Sequence, residues 1–164
     1  MVKIKSIDGV VKEVDCIGCA IQRLEIKRIG GVVAETEHFE VTQDIETPIP
    51  GFMILSSKAH LKGIGDFSKE LRAEYIEFLY KIRKAMKTAL GVDYTDLIQD
   101  EDSIKTISHF HMWLFPRYPW MDRFGSGIVS ILPIIKYARE NMKMPANLKK
   151  VAMAGKKLKE FLAK

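Results

Sequence analysis

The chain has 164 residues, of which 47% are hydrophobic, and its formal net charge is +5. This length and composition suit one domain with a core of its own, and they allow the chain to fold without disulfides or many metal ions. No apolar run approaches the roughly 18 residues of a membrane-spanning helix, and the N-terminus lacks the apolar segment of a signal peptide, so we expect a cytoplasmic protein.

The N-terminal part of the chain is marked by its two cysteines. Residues 1–15 are weakly patterned and allow a short strand or an irregular arm, and residues 20–28 allow a short helix. Between them stand Cys16 and Cys19 in a C-x-x-C spacing. A structural disulfide is not expected in a reducing cytoplasm, so the pair is half of a metal site, two free thiols or a redox dithiol.

The middle of the chain predicts a hairpin followed by a long helix. Residues 32–36 and 39–43 are rich in β-formers, and a short apolar strand begins at Phe52 after a proline-rich loop. Apolar residues then recur at steps of three and four, which is typical of an amphipathic helix. These residues are Leu71, Tyr75, Phe78, Leu79, Ile82, Met86 and Leu90. Asp66 or Ser68 can cap this helix, and Gly91 is suited to end it.

A strand with two histidines follows. Residues 94–99 predict one more strand, residues 100–103 a turn, and residues 109–117 a strand in which Phe110, Met112 and Leu114 share the buried face. The other face then carries His109, His111 and Trp113. A strand that served only stability would carry Val or Ile at these positions, so two imidazoles on one face indicate a site. The element order predicts an α+β fold with mostly antiparallel neighbours and one long central helix.

The C-terminal part predicts helices with a strong positive charge. An aromatic loop at residues 116–127 leads to a helix over 128–142, with Pro133 near its start, and to a second helix over 147–163. Residues 136–164 carry nine Lys or Arg against two Glu, so the rest of the chain has a net charge of −2. We therefore expect a main domain over 1–127 and a basic helical extension over 128–164 that packs on it. Its lysines are expected to be solvated, and a nucleic-acid partner is the less favoured alternative.

The soft metal ligands are few and scattered. They are Cys16, Cys19, His38, His60, His109 and His111. A C-x-x-C pair with two of these histidines would make a tetrahedral Cys2His2 zinc site, which we favour over free thiols and a redox pair. The histidines are far apart in sequence, so tertiary folding would have to bring them together.

Several motifs in order resemble the histidine-triad (HIT) family. The stretch His109-Phe-His-Met-Trp-Leu-Phe is similar to the family signature His-φ-His-φ-His-φ-φ, with Trp113 where the third histidine stands. The stretch Pro50-Gly-Phe-Met-Ile-Leu-Ser-Ser-Lys-Ala-His60 is similar to the family's P-G-H-x-L-V-x-P-x-x-H. The match spans residues 16 to 117.

The resemblance implies the activity and the nucleophile. It implies a HIT-like nucleotide-binding fold, usually a homodimer, acting as a hydrolase or nucleotidyltransferase at the α-phosphate of nucleoside 5′-phosphate derivatives. Candidate substrates are dinucleoside polyphosphates such as diadenosine tetraphosphate, and nucleoside phosphoramidates. His111 would be the nucleophile and would form a nucleotidyl-histidine intermediate. The zinc-bearing branch of the family implies a ligand set of Cys16, Cys19, His60 and His109, and a set using both His109 and His111 would be purely structural.

The resemblance and the local chemistry also assign substrate-binding residues. Asp44 stands where the family binds the ribose hydroxyls, and Trp113 and Trp120 are candidates for the base pocket. Packing is favoured for Trp113, and packing in the core or at a dimer interface is at least an equal alternative for Trp120. Candidate donors to the phosphate are Gln99, Thr106 and Ser108. Trp113 cannot act as an acid or base near neutral pH, and acidic residues in the loop before the histidines would repel a phosphate. The alternatives are a zinc-stabilised nucleotide-binding module without turnover and a nucleic-acid adaptor that uses the basic tail.

Overall fold

The computed structural model describes residues 1–99, 101 and 109–164. The N-terminal arm is an antiparallel hairpin, β1 (Val2–Lys5) and β2 (Val11–Val14), followed by a short helix, α1 (Ile17–Gln22). The helix begins three residues earlier than the sequence pattern indicates, because the Cys16 side chain caps it by accepting a hydrogen bond from the Cys19 backbone N–H. The C-x-x-C motif therefore forms the first turn of α1.

A five-stranded antiparallel sheet forms the centre of the molecule. Its strands are β3 (Val32–Glu35), β4 (Phe39–Gln43), β5 (Met53–Ser57), β6 (Thr95–Gln99) and β7 (His111–Pro116), in the order β3-β4-β5-β7-β6. The histidine strand β7 therefore lies between β5 and β6, and its position inside the sheet fixes both faces of the strand. The predicted α+β class with mostly antiparallel neighbours is confirmed.

The long central helix, α2 (Lys69–Leu90), is confirmed with both of its caps. The Ser68 hydroxyl, and not Asp66, accepts a hydrogen bond from the Leu71 backbone N–H. At the other end Gly91 has φ +68°, a left-handed conformation that glycine adopts without steric cost. The apolar stripe of α2 packs on one face of the sheet, where Phe39, Leu55 and Leu114 are fully buried.

The C-terminal helices lie on opposite sides of the sheet. A short 3₁₀ helix (Pro119–Phe124) and a second one (Ile128–Ser130) precede α3 (Ile131–Asn141), and α4 (Pro145–Leu162) ends the chain. Helix α4 packs beside α2, with Leu158 in the same core. Helix α3 packs on the other face against Phe52 and Phe115. The proposed division at residue 127 stays a prediction, and α3 shares a core with the strands before it.

The start of α3 and the surface of α4 follow from simple chemistry. Pro133 lies in the first turn of α3, where its missing N–H costs no hydrogen bond, so the helix begins at Ile131 and residues 128–130 form the 3₁₀ turn. The lysines of α4 are exposed, and its buried side is formed by Val151, Ala154 and Leu158. Across the part of the chain that the structure describes, no helix combines the length and apolar character needed to cross a bilayer.

Gly155 lies on the buried side of α4 and offers a first test of this packing. A Cβ added at Gly155 would lie 3.8 Å from Val33 Cγ2, an ordinary van der Waals contact. We therefore expect Gly155→Ala to raise the free energy of unfolding by about 1 kcal/mol, because alanine is the better helix former and fits the space. Urea unfolding measures the change. The control Gly91→Ala should lower stability, because Gly91 is left-handed, and equal losses in both variants would contradict the packing of α4.

Candidate functional site

Two thiols and two imidazoles converge where the N-terminal arm meets the sheet. The Sγ atoms of Cys16 and Cys19 and the Nδ1 atoms of His60 and His109 all lie within 4.8 Å of one another. The four sulfur-to-nitrogen distances range from 3.1 to 3.6 Å. A tetrahedral zinc ion with ordinary bond lengths places sulfur and nitrogen ligands about 3.5 Å apart. The cluster thus has the donors and the spacing that zinc requires.

The hydrogen bonds around His109 prepare it as a metal ligand. Its Nε2 lies 2.8 Å from the Ser57 carbonyl oxygen, which only accepts, so Nε2–H donates and Nδ1 keeps a lone pair facing the thiols. Burial also lowers the pKa of His109, which favours the neutral imidazole. Burial raises the pKa of the Cys19 thiol, and the hydrogen bond and charge of Cys16 raise it further. Two thiolates at this position would therefore need a nearby cation to stabilise them.

Gly18 allows α1 to lie directly on the His109 ring. A Cβ at Gly18 would come within 2.5 Å of His109 Cγ, a separation that real Cβ atoms do not show. The sequence motif therefore needs glycine between its two cysteines in this fold. The C-x-x-C residues and His109 approach one another only because this position has no side chain.

His111 lies outside the thiol–imidazole cluster. Its Nδ1 is 2.9 Å from the His109 backbone carbonyl, so Nδ1–H donates and the lone pair of the neutral ring is on Nε2. The alternative ligand set of His109 with His111 is not what the structure assembles, because the cluster uses His60 and His109. His111 instead lines a cavity on the same face of the sheet.

The cavity has a volume of about 510 Å³ and lies between the sheet, the N-terminal arm and α3. Its walls are largely aliphatic, with Ile4 and Ile17 from the arm, Ile54 and Ile98 from the sheet and Ile131 from α3. Such a volume with mainly apolar walls and a few polar groups is typical of small-molecule sites. The arrangement can hold a flat apolar group with His111 at one wall.

Asp44 lines the same cavity, directly after β4. Its Oδ1 accepts hydrogen bonds from the backbone N–H groups of Thr47, at 2.6 Å, and Glu46, at 3.1 Å. Burial raises the pKa of Asp44, and the hydrogen bonds from Thr47 and the charge of Arg139 act in the opposite direction. Both backbone hydrogen bonds end on one oxygen, so a ligand hydroxyl would be accepted by the other.

Trp113 lies between the cavity and the core. Its ring packs edge-on against Phe52 at a centroid distance of 5.6 Å, and its centroid is 6.4 Å from that of His111. It also lines the cavity. The indole is therefore held by packing, and part of its surface is exposed to a ligand bound in the cavity beside His111.

The structure corrects two predicted site residues. Gln99 pairs with Met112 in the β6–β7 register, so its side chain lies on the face opposite His111, where its amide donates to Glu101 at 2.6 Å. Trp120 packs on Tyr137 and Phe124, and it does not line the cavity. Neither residue is brought to His111. Thr106 and Ser108, the other predicted phosphate donors, lie outside the described residues.

Ser56 and Arg139 are among the cavity residues that the reasoning from sequence missed. Ser56 lies opposite His111 in the β5–β7 register, and it stands within the stretch that resembles the family motif. Arg139 reaches the cavity from α3, whereas in the sequence it is one of nine basic residues near the C-terminus. Its place four residues after the buried Ile135 is the signal that could have separated it from the solvated lysines.

Comparisons with known proteins agree with this fold. Protein hit of Bacillus subtilis is 27% identical over 114 residues, which cover 68% of this chain and 77% of that protein. The crystal structure of a HIT family protein from Bacillus anthracis is 26% identical with a TM-score of 0.57, covering 87% of this chain and 95% of that one. A zinc-bound histidine triad family protein from Mycobacterium smegmatis has the same fold, with 22% identity and a TM-score of 0.61 over 90% of this chain and 93% of that one.

The family model described as the HIT domain matches residues 27–120, which is more than half of the chain. This segment contains all five strands of the central sheet, α2, His109 and His111. Membership supports, in general terms, a nucleotide-binding hydrolase or transferase. On the combined basis of this match, the shared fold and the histidine strand, the chain belongs to the histidine-triad (HIT) family.

Proposed function

We propose that the protein is a zinc-containing HIT hydrolase or nucleotidyltransferase that cleaves nucleoside 5′-phosphate derivatives at the α-phosphate. The observation that carries the proposal is the hydrogen bond from His111 Nδ1–H to the His109 carbonyl at 2.9 Å. It leaves Nε2 of His111 as the nucleophilic nitrogen beside a cavity of nucleoside size.

The reaction needs two displacements at phosphorus. Nε2 of His111 attacks the α-phosphorus, the bond to the leaving group breaks, and a nucleotidyl-histidine forms. Water or another acceptor then attacks the same phosphorus and releases Nε2. The ring gains positive character in the intermediate, and the His109 carbonyl stabilises it by accepting the hydrogen bond from Nδ1–H. Ser56, Thr106 and Ser108 are the side chains we propose as donors to the phosphate oxygens.

Zinc would be held by Cys16, Cys19, His60 and His109, whose donor atoms form the cluster. The ion supplies a cross-link between the N-terminal arm and the histidine strand, together with a local positive charge. Because His109 would be fixed by the ion on one side and by Ser57 on the other, its backbone carbonyl would be held in place for His111.

The nucleoside would occupy the apolar cavity. Asp44 would accept the ribose hydroxyls through the oxygen that receives neither of the two backbone hydrogen bonds. The base would lie among the isoleucines, with the Trp113 surface beside it. Diadenosine tetraphosphate and nucleoside phosphoramidates are the two substrate classes to test first.

Trapping of the intermediate tests the proposed function. The protein would be incubated with diadenosine tetraphosphate and with a nucleoside phosphoramidate, quenched in base to preserve phosphohistidine, and analysed by mass spectrometry of its peptides. We expect nucleotide release and a nucleotidyl group on the peptide that contains His111. Nucleotide release without such a group, and with unchanged release after His111→Asn, would contradict the mechanism.

A binding module without turnover is the second candidate. The observation that favours it is Trp113 at the position where the family signature has its third histidine, because an indole has no acid or base function near neutral pH. The same assay separates the two candidates. Tight nucleotide binding, with no release over many hours from either substrate class, would establish the module.

Replacing Gly18 by alanine should weaken zinc binding without removing a ligand. The added methyl group would displace the His109 ring, because it would come within 2.5 Å of it. We expect a loss of about 10- to 100-fold in zinc affinity, as for other residues that position metal ligands. Competition with a chromophoric chelator measures it. Gly65→Ala is the matched control, because a Cβ there meets open space, and equal affinities in both variants would count against the cluster as a zinc site.

A homodimer and a cytoplasmic location also belong to the proposal, because the family resemblance and the composition predict them. Light scattering coupled to size exclusion tests the first. A nucleic-acid partner for the exposed lysines of α4 stays a prediction that gel-shift titration at two salt concentrations can test.

A further inference from the structure

We propose that Arg139, from the C-terminal helix α3, is a positioning residue that holds Asp44 for recognition of the ribose. The inference rests on the proposed function and deepens it: it assigns selectivity for ribonucleotides to a side chain outside the segment that the HIT domain model matches.

The contacts form a continuous chain from α3 to the cavity. Arg139 Nε donates to Thr47 Oγ1 at 3.0 Å, and Nη2 donates to Glu46 Oε2 at the same distance. Thr47 is completely buried, and its backbone N–H donates to Asp44 Oδ1 at 2.6 Å. One guanidinium therefore fixes both residues whose backbone N–H groups hold the carboxylate.

Arg139 can influence the position of Asp44 because both are connected to the same loop. Asp44 stands at the end of β4, and the loop after it is secured to α3 by the two hydrogen bonds of Arg139. Without them the Thr47 hydroxyl loses its donor, and the loop that orients Asp44 loses these two hydrogen bonds to α3 while the packing of Ile49 on α3 remains. An accepting oxygen must be held within a few tenths of an ångström to discriminate a hydroxyl from a hydrogen atom, so the loss should fall on ribose recognition.

The alternative role, in which Arg139 itself binds a phosphate, is less favoured by the contacts. Two of its nitrogens are committed to the loop, and one of them faces the carboxylate of Glu46. An anion at this position would have to compete with that carboxylate. Asp44, in contrast, has an oxygen that accepts neither of the two backbone hydrogen bonds.

Binding of paired ribo- and dideoxyribonucleotides tests the inference. Each of the four ribonucleoside 5′-monophosphates would be titrated by calorimetry into the full-length protein, and the tightest one would be compared with its 2′,3′-dideoxy counterpart. We expect the wild type to prefer the ribonucleotide by about tenfold or more, and Arg139→Ala to remove most of that preference while affinity for the dideoxynucleotide stays the same. Thr47→Val, which removes the hydroxyl that accepts from Arg139, should have the same effect.

The controls separate positioning from folding and from charge. Lys136→Ala removes an exposed cation one turn earlier on α3 and should leave the preference intact. Asp44→Asn should remove the preference by itself, and adding Arg139→Ala to it should cause little further loss. A preference that survives in both Arg139→Ala and Thr47→Val overturns the inference alone. A wild type that binds none of the four nucleotides overturns the proposed function, and the inference falls with it.

Discussion

Replacing His111 by alanine is expected to lower turnover by about 10⁴-fold or more, because the variant lacks the atom that bonds to phosphorus. No other imidazole can substitute at the same position. His109 directs Nε2 to the Ser57 carbonyl and Nδ1 to the thiols, and His60 belongs to the same cluster. The loss should appear in kcat, because the cavity walls that hold the nucleoside are unchanged.

The informative part of this experiment is what the variant retains. His111 is not among the four cluster residues, so zinc content should stay equal to that of the wild type. Nucleotide affinity should fall little, because Asp44 and the apolar walls remain. His38→Ala is the matched control, since His38 is bound to Glu74 on α2 and does not line the cavity. Wild-type turnover in the His111→Ala variant would show that another group is the nucleophile and would contradict the proposed mechanism.

The histidine strand shows how much of the site could be predicted from sequence. Alternation along a strand is a local rule, so the shared face of His111 and Trp113 and the opposite face of Met112 followed directly from their order. The ligand pair of Cys16 and Cys19 was equally local. Choosing His60 and His109 as their partners relied on the family resemblance, because no local rule links residues so far apart in sequence.

The failures have a common physical cause. Gln99 lies in the predicted strand, but its face depends on its register with Met112, and a change of register by one residue reverses every side chain of a strand. Trp120 was a base-pocket candidate because it lies in the aromatic loop, but its ring packs on Tyr137 of α3, which is the alternative that the sequence left open. Arg139 was missed because its partners, Glu46 and Thr47, lie on a loop more than ninety residues earlier. Contacts between distant segments carry no periodic signal.

Chelation of the zinc ion that we propose for the cluster is the second change with a large expected effect. The arm over residues 1–22 packs through Ile4 and Ala20 in a small core that also contains Ile45 from the loop after β4, and the cluster links this arm to the start of the histidine strand. Structural zinc sites contribute on the order of 10 kcal/mol of apparent binding free energy, much of which becomes folding free energy. We therefore expect chelation of the ion to lower the midpoint of thermal unfolding substantially.

Cys16→Ser and His60→Ala should reproduce the effect of chelation, because each removes one of four ligands, and both should be insensitive to further chelator. Zinc stoichiometry should fall from one per chain towards zero, as measured by atomic emission. Thiolate and neutral imidazole ligands bind protons in competition with zinc, so the stabilisation should be present at neutral pH and be lost as the solution is acidified. His38→Ala again provides the control, because it removes a histidine outside the cluster.

The result also decides among the three uses of the C-x-x-C pair. A wild type that is free of zinc, with two thiols that react with a thiol reagent and no response to chelator, would identify free cysteines. A zinc-free chain that loses both thiols reversibly on oxidation would identify a redox dithiol. The cluster geometry favours zinc, because the His109 tautomer fixed by Ser57 presents a lone pair to the two sulfurs, an arrangement that neither alternative requires. Turnover should then fall with zinc loss even though His111 is intact, because its hydrogen-bond partner is the backbone of a zinc ligand.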